Sequence, residues 1–380
     1  MIPHIIENIF SYVFNFANRF ASGKYWYLKM AVLCYILTLL FSFPNYNQGE
    51  KWMREGINKQ IEQPFTYHDY PPESHLAKRT FRITMPLIGK LLNLNITGLL
   101  ILQSFFGFLF FILISKLVFA ITSDKVLSFI ICLGFTVVYV GKACFIDGGL
   151  FDGTAFFLLI IAMCFRNSLL IFFCVFLACY TDERAFISSF MLILWWILNE
   201  NNYKNIKIRD IIIPNRFVRV VLLSIFAVFV TRLYLQYLFY ASAHIVELSD
   251  VGFATLKSQL NIVLFGLFSG IEFFWILIFV GALVLFQYKK FMLLFGYMAL
   301  ITSIIITASI VADQTRSIAY IFPMVFIALK IVYQDFSQSA LRKLLLTIVF
   351  ISFLFGTYDV VGPKVWWIFP LPVQLLTAGQ

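Results

Sequence analysis

The chain has 380 residues, of which 61% are hydrophobic, 19% aromatic and 13% charged. A soluble domain carries about 25% charged residues, so this composition excludes a water-soluble globular protein and implies an all-α polytopic membrane protein. The net charge of +10 does not mark a nucleic-acid binder. In such chains Lys and Arg collect in short loops as orientation determinants, and the expected partner is the lipid bilayer.

Residues 1–24 predict an interfacial amphipathic helix, because Ile5, Ile6, Ile9, Phe10, Val13, Phe14 and Phe16 recur at near-helical spacing between polar residues. The segment lacks the basic start, uninterrupted apolar core and small-residue cleavage site of a signal peptide. A first span is expected at about 27–43, ending before Pro44. The stretch 45–95 is the only long polar one, broken by Gln63-Pro64 and Tyr70-Pro71-Pro72, and is expected to be the extracytoplasmic loop region.

Further apolar runs lie at about 96–121, 126–142, 153–166, 168–180, 185–199, 217–240, 264–287, 291–312, 317–334 and 344–361. The expectation is therefore a transmembrane helical bundle of about 11 spans. Residues 362–380, with Trp366 and Trp367, form an interfacial tail, and the whole of 1–380 is read as a single transmembrane domain. The six cysteines fall mostly within apolar runs without metal-ligand spacing and read as small core hydrophobes.

Orientation follows from the basic short loops. Lys125, the group Lys204, Lys207, Arg209, Arg216 and Arg219, the pair Lys289-Lys290, and Arg342-Lys343 all alternate onto one side, which the positive-inside rule makes cytoplasmic. The chain is then N-in and C-out. The acid-bearing loops fall on the opposite, extracytoplasmic side: 67–82, 145–153, 181–184, 244–250 and 313–317.

Those loops hold the candidates for chemistry. Thr181-Asp182-Glu183-Arg184 sits between apolar runs too short to span a ~30 Å hydrocarbon core, which takes about 20 residues. Its charges must therefore face protein, water or substrate. Asp147 and Asp152 share a loop with three glycines, which let backbone approach a ligand closely. Asp313 to Ser317 repeats the pattern of acid, amide, hydroxyl and then Arg316. Arg184 and Arg316 lie at outer helix ends, where a guanidinium fork suits bidentate phosphate binding. His75, Arg79 and Arg82 put further cations on the side that the orientation bias disfavours, which points to an anionic partner. Arg232 and Glu272 lie within apolar runs, where a charge lines a cavity or, for Arg232 near the end of its run, snorkels to the interface. There is no Walker loop, dinucleotide fingerprint, His-Glu-x-x-His or Gly-x-Ser-x-Gly, which removes ATP hydrolysis, Rossmann redox chemistry and common lipase chemistry.

The long first outer loop, the approach ending in Arg82-Ile83-Thr84-Met85-Pro86, the Asp-Gly loop before a short span and Thr181 to Arg184 after the next one together resemble the GT-C superfamily of membrane glycosyltransferases. They are also similar to related uncharacterised bacterial membrane proteins. The resemblance implies a lipid-linked sugar donor carried on polyprenyl phosphate, reaction at the extracytoplasmic face of the bacterial cytoplasmic membrane, and a carboxylate base in the first outer loop. The usual acidic pair after the first span is missing here, where Pro44-Asn45-Tyr46-Asn47 stands and Glu50 comes late. Asp69, Asp147, Asp152, Asp182 and Glu183 remain as catalytic candidates. His75, Arg79, Arg82, Arg184, Asp313 and Arg316 remain as phosphate- or substrate-binding candidates. A divalent cation on Asp147 and Asp152 is compatible with this chemistry and not required by it. The competing expectations are a transporter or flippase for a polar or lipid-linked solute, a surface-polysaccharide polymerase or ligase, and a non-catalytic scaffold.

Overall fold

The structure, a computed structural model, describes residues 2–41, 51–66, 79–145, 150–206, 213–240, 252–356 and 358–377. It is almost wholly helical. The helices are α1 (Ile2–Phe20), α2 (Trp26–Phe41), α3 (Lys51–Glu62), α4 (Thr84–Leu92), α5 (Ile96–Thr122), α6 (Lys125–Phe135) and α7 (Tyr139–Lys142), followed by a 3-10 turn, Ala143–Phe145. Next come α8 (Asp152–Cys164), α9 (Ser168–Thr181), α10 (Ala185–Glu200) and α11 (Arg216–Tyr240). The remaining helices are α12 (Phe253–Gln259), α13 (Val263–Ser269), α14 (Phe274–Gln287), α15 (Phe291–Ser309), α16 (Gln314–Ala319), α17 (Pro323–Val332), α18 (Gln338–Leu354) and α19 (Leu371–Thr377).

Several helix starts follow directly from capping chemistry. Asn95, Asp124, Asn167 and Ser337 each accept a backbone N–H of the first turn of α5, α6, α9 and α18, supplying a partner that helix geometry leaves missing. Asp124 is also gripped by Arg342, at 2.7 and 3.0 Å, and by Gln338 at 2.9 Å. One carboxylate thus caps α6 and ties it to α18.

The expected count of about 11 spans is corrected. Three described helices are long and apolar enough to cross a membrane, and five spans result if two bent pairs each count as one. The apolar run 126–142 breaks between α6 and α7 with a 74° bend, and 264–287 breaks between α13 and α14 with an 86° bend. The run 317–334 likewise divides into α16 and α17, with Pro323 at the start of α17. Five further apolar helices, α2, α8, α9, α10 and α17, have 10–17 residues. Apolar composition is the same on both sides of each break, so hydropathy alone reads through it.

The C-terminal end also departs from expectation. Instead of continuing to 361, α18 ends at Leu354, and a two-stranded antiparallel hairpin follows: β1 (Tyr358–Val361) and β2 (Lys364–Trp367). Its turn carries Gly362 at φ 57°, a left-handed conformation that glycine adopts without Cβ strain. Val361 makes a bridge with Asp313, which brings the hairpin beside α13 and α16.

Around the centre, α8 packs between α5 and α9, α9 packs on α11, and α14 packs on α17. Phe110, Phe135, Phe156, Phe322 and Phe326 interlock in the core. This packing fixes the ends of the short helices, where the polar groups gather.

Candidate functional site

Four chain segments deliver the site. Asp152 opens α8, Asp182 to Arg184 form the turn between α9 and α10, Asp313 and Arg316 begin α16, and Arg79 and Arg82 precede α4. Asp152 is held in place by its neighbour. A Cβ on Gly153 would lie 2.6 Å from Cys144 Cα and 2.7 Å from Cys144 N, so only glycine lets the start of α8 sit against the 3-10 turn.

The side chains converge. Arg316 donates to Asp152 through Nε at 2.8 Å and Nη2 at 3.3 Å, and to Asp313 through Nη1 at 2.6 Å. Arg184 reaches Asp182 at 3.2 Å and Asp313 at 3.3 Å. Arg82 makes a fork on Glu183, with Nε at 2.9 Å and Nη2 at 2.7 Å. Asp182 Oδ2 alone is approached by three guanidiniums: Arg82 at 3.1 Å, Arg184 at 3.2 Å and Arg316 at 3.5 Å. Asp182, Asp152, Arg184 and Arg316, distant in sequence, therefore join in one ion-pair cluster.

Asp152 and Asp182 are buried, whereas Asp313 is 28% and Glu183 53% exposed. The interior thus holds the fixed charges and the rim holds the accessible ones. Arg79 belongs to the same field, close enough to feel Arg82, Arg316, Asp313 and Asp152. Burial, then the like charges of Arg82 and Arg316, lower its guanidinium from the ordinary value. Burial also acts to lower Arg82, but Asp182 and Glu183 more than reverse this and raise it. For Asp313, burial raises the carboxyl and Arg316 and Arg184 overcome that, leaving it below the ordinary range.

Tyr139 and Tyr320, which sequence reasoning missed, donate to Asp152 at 2.9 and 3.1 Å. Each is a lone tyrosine in an apolar run, with no spacing signal to separate it from core. Lys142, paired with Asp359 at 2.8 Å, was also missed. Of the remaining expectations, Asp69, His75 and Asp147 lie outside the described residues. Arg232, with its guanidinium 3.5 Å from the Phe81 ring centroid, lies at the edge of the same field, close enough to feel Glu183 and Arg82.

Asp152 does not fit half of a metal pair. Its oxygens already face a guanidinium and two phenol hydroxyls, so a dication there would sit against Arg316. Among the described residues no group of three or more His, Cys, Asp or Glu side chains is placed to hold a metal ion.

The depth of the site follows from α5. Gln103 donates to Leu150 O at 3.1 Å and meets Thr154 at 3.5 Å, so Asp152 lies level with Gln103. Gln103 is seven residues from the start of α5, which at 1.5 Å per residue is about 10 Å along the helix from its N-terminal end. No family model, curated protein or solved structure matches the chain.

Proposed function

We propose that this cluster is the phosphate end of a phosphosugar site and that the protein is a membrane glycosyltransferase. It would move a sugar from a polyprenyl-phosphate donor to an acceptor at the extracytoplasmic face of a bacterial cytoplasmic membrane, with the chain N-in and C-out. The observation that carries this reading is the gathering of Arg82, Arg184 and Arg316 around the single oxygen Asp182 Oδ2. Buried ion pairs add little net stability over apolar packing, so so many in one place favour a role beyond stability. Guanidinium forks match phosphate oxygens.

In this reading the buried carboxylates position the arginines. Asp152 aims Arg316, and Asp182 gathers all three cations. The accessible Glu183, with Arg82 as its forked partner, is the group that an arriving phosphate releases. As the acceptor oxygen bonds to the sugar C1, its proton passes to Glu183. The C1–O bond to phosphate breaks, and the electron pair leaves on the phosphate oxygen, where Arg184 and Arg316 stabilise it.

The test uses proteoliposomes holding labelled polyprenyl-phosphate sugars and envelope-derived acceptors. Wild type is expected to release polyprenyl phosphate and label the acceptor. Arg184→Met and Glu183→Gln are expected to slow this by about a hundredfold or more. If no such donor turns over, or Arg184→Met turns over as fast as wild type, the proposal fails. A second reading, a transporter or flippase of a lipid-linked solute, is favoured by the two broken helix pairs. In the same liposomes it predicts movement of the donor across the bilayer with its sugar–phosphate bond intact.

A further inference from the structure

The break between α13 and α14 holds another buried carboxyl, which the glycosyl-transfer reading does not use. Glu272 is 1% exposed and has φ 46°, a left-handed conformation that is costly for a residue with a Cβ. Its backbone is held on both sides: its N–H donates to Phe268 O at 2.8 Å, and its carbonyl accepts from Trp275 N at 3.2 Å. The break is also pressed against α16, since a Cβ on Gly270 would lie 2.8 Å from Ala319 N. Packing therefore keeps a strained glutamate at the meeting point of two half-helices, and such strain concentrates at functional positions.

Its polar contacts are incomplete. Glu272 Oε2 and Ser352 Oγ are both buried without a close, well-aligned hydrogen-bond partner, and Ser352 is the hydroxyl that faces the carboxyl. Leaving such groups unmet is costly. Lys142 also faces Glu272, but its ammonium is committed to Asp359 at 2.8 Å. The other side chain of note toward the carboxyl is Tyr358 of β1. From α16 the charged residue is Arg316, engaged by Asp152 and Asp313. The bases of α18, Arg342 and Lys343, lie about 15 Å along that helix from Ser352, and Lys125 is at the far end of α6.

A proton on Oε2 would neutralise the buried carboxyl, and either its O–H or the Ser352 hydroxyl can then close the contact between the two side chains. We propose that Glu272 is a proton-exchange site. It takes a proton on Oε2, shares it with Ser352, and releases it under the fixed positive charge of Lys142. The proton comes from and returns to solvent on the hairpin side, where Asp359 is partly exposed. Intramembrane carboxyls placed at helix breaks suit this role.

The experiment is infrared difference spectroscopy of the full chain in proteoliposomes, titrated from about pH 5 to about pH 10. A protonated-carboxyl C=O band is expected to disappear as pH rises and to be missing at every pH in Glu272→Gln. In Lys142→Met the disappearance is expected to shift to higher pH. Dicyclohexylcarbodiimide, which modifies protonated carboxyls in apolar surroundings, gives the second readout: an adduct on Glu272 that is lost as pH rises. A band that is constant across the range, or that survives Glu272→Gln, overturns the proposal. Neither result depends on which polar solute or sugar the pocket handles.

Discussion

Replacing Asp152 by Asn keeps the side chain's shape and removes its charge. Arg316 would lose the carboxylate it grips at 2.8 and 3.3 Å and keep Asp313 at 2.6 Å and Asp182 at 3.5 Å. Tyr139 and Tyr320 meet different oxygens of Asp152, so one could still donate to the amide oxygen and the other accept from the amide NH2, and the loss falls mainly on the ion pair. Removing one partner of a buried pair costs about 3–5 kcal/mol. Because Arg316 retains Asp313, the expected cost is at the lower end, about 3 kcal/mol. The double variant Asp152→Asn/Arg316→Met removes the stranded cation as well, and should be more stable than the sum of the two singles by about 1 kcal/mol or more. Equilibrium unfolding in mixed detergent–SDS micelles measures all four corners of the cycle. If Asp152→Asn lies within about 0.5 kcal/mol of wild type, or the singles simply add, the two residues are not a coupled buried pair.

Gly153→Ala puts a methyl against the backbone of Cys144, which has no flexible end to give way. A loss of about 1–3 kcal/mol is expected in the same unfolding assay. For Asp124, burial raises the carboxyl but the hydrogen bonds from Arg342 and Gln338 outweigh it, so its folded value lies below the ordinary range. Its stabilisation is thus present above about pH 4 and lost as pH falls through that lowered value. Melting curves from neutral to acid pH should show an acid-dependent loss that Asp124→Asn reduces. Arg232→Ala removes the cation over Phe81 and should cost about 1 kcal/mol. A change below about 0.3 kcal/mol would make that contact incidental.

Helix positions were legible where an apolar run met a capping residue. Asn95, Asp124 and Asn167 mark starts that agree closely with the runs beginning near 96, 126 and 168. The first break was not legible, because Val137 and Val138 are as apolar as the helices they interrupt, and at the second Gly270 and Glu272 were the only signals against a strongly apolar run. The hairpin was hidden for the same reason: Tyr358 to Val361 reads as a continuing apolar run, and only Gly362-Pro363 hints at a turn. In the candidate site, Arg184, Arg316, Asp182 and Asp313 stood out as charges between short apolar runs, and the structure brings them together. Tyr139, Tyr320 and Lys142 did not stand out, since their meaning depends on contacts with residues on other elements.

The 14 residues of α9 span only about 21 Å, against a hydrocarbon thickness of about 30 Å. Leu169 and Phe173 on this helix face outward, so bilayer lipids must meet its short apolar length directly. The surrounding leaflet accommodates such a mismatch by thinning, tilting its chains or drawing headgroups inward. The C-terminal end of α9 is Thr181, immediately before Asp182. On the glycosyl-transfer proposal, a lipid phosphate diffusing in the plane of the membrane would thereby be lowered toward the arginines without leaving the bilayer. On that proposal, shortness in one helix would serve as a lateral doorway for an amphiphile, and membrane thickness would tune its passage.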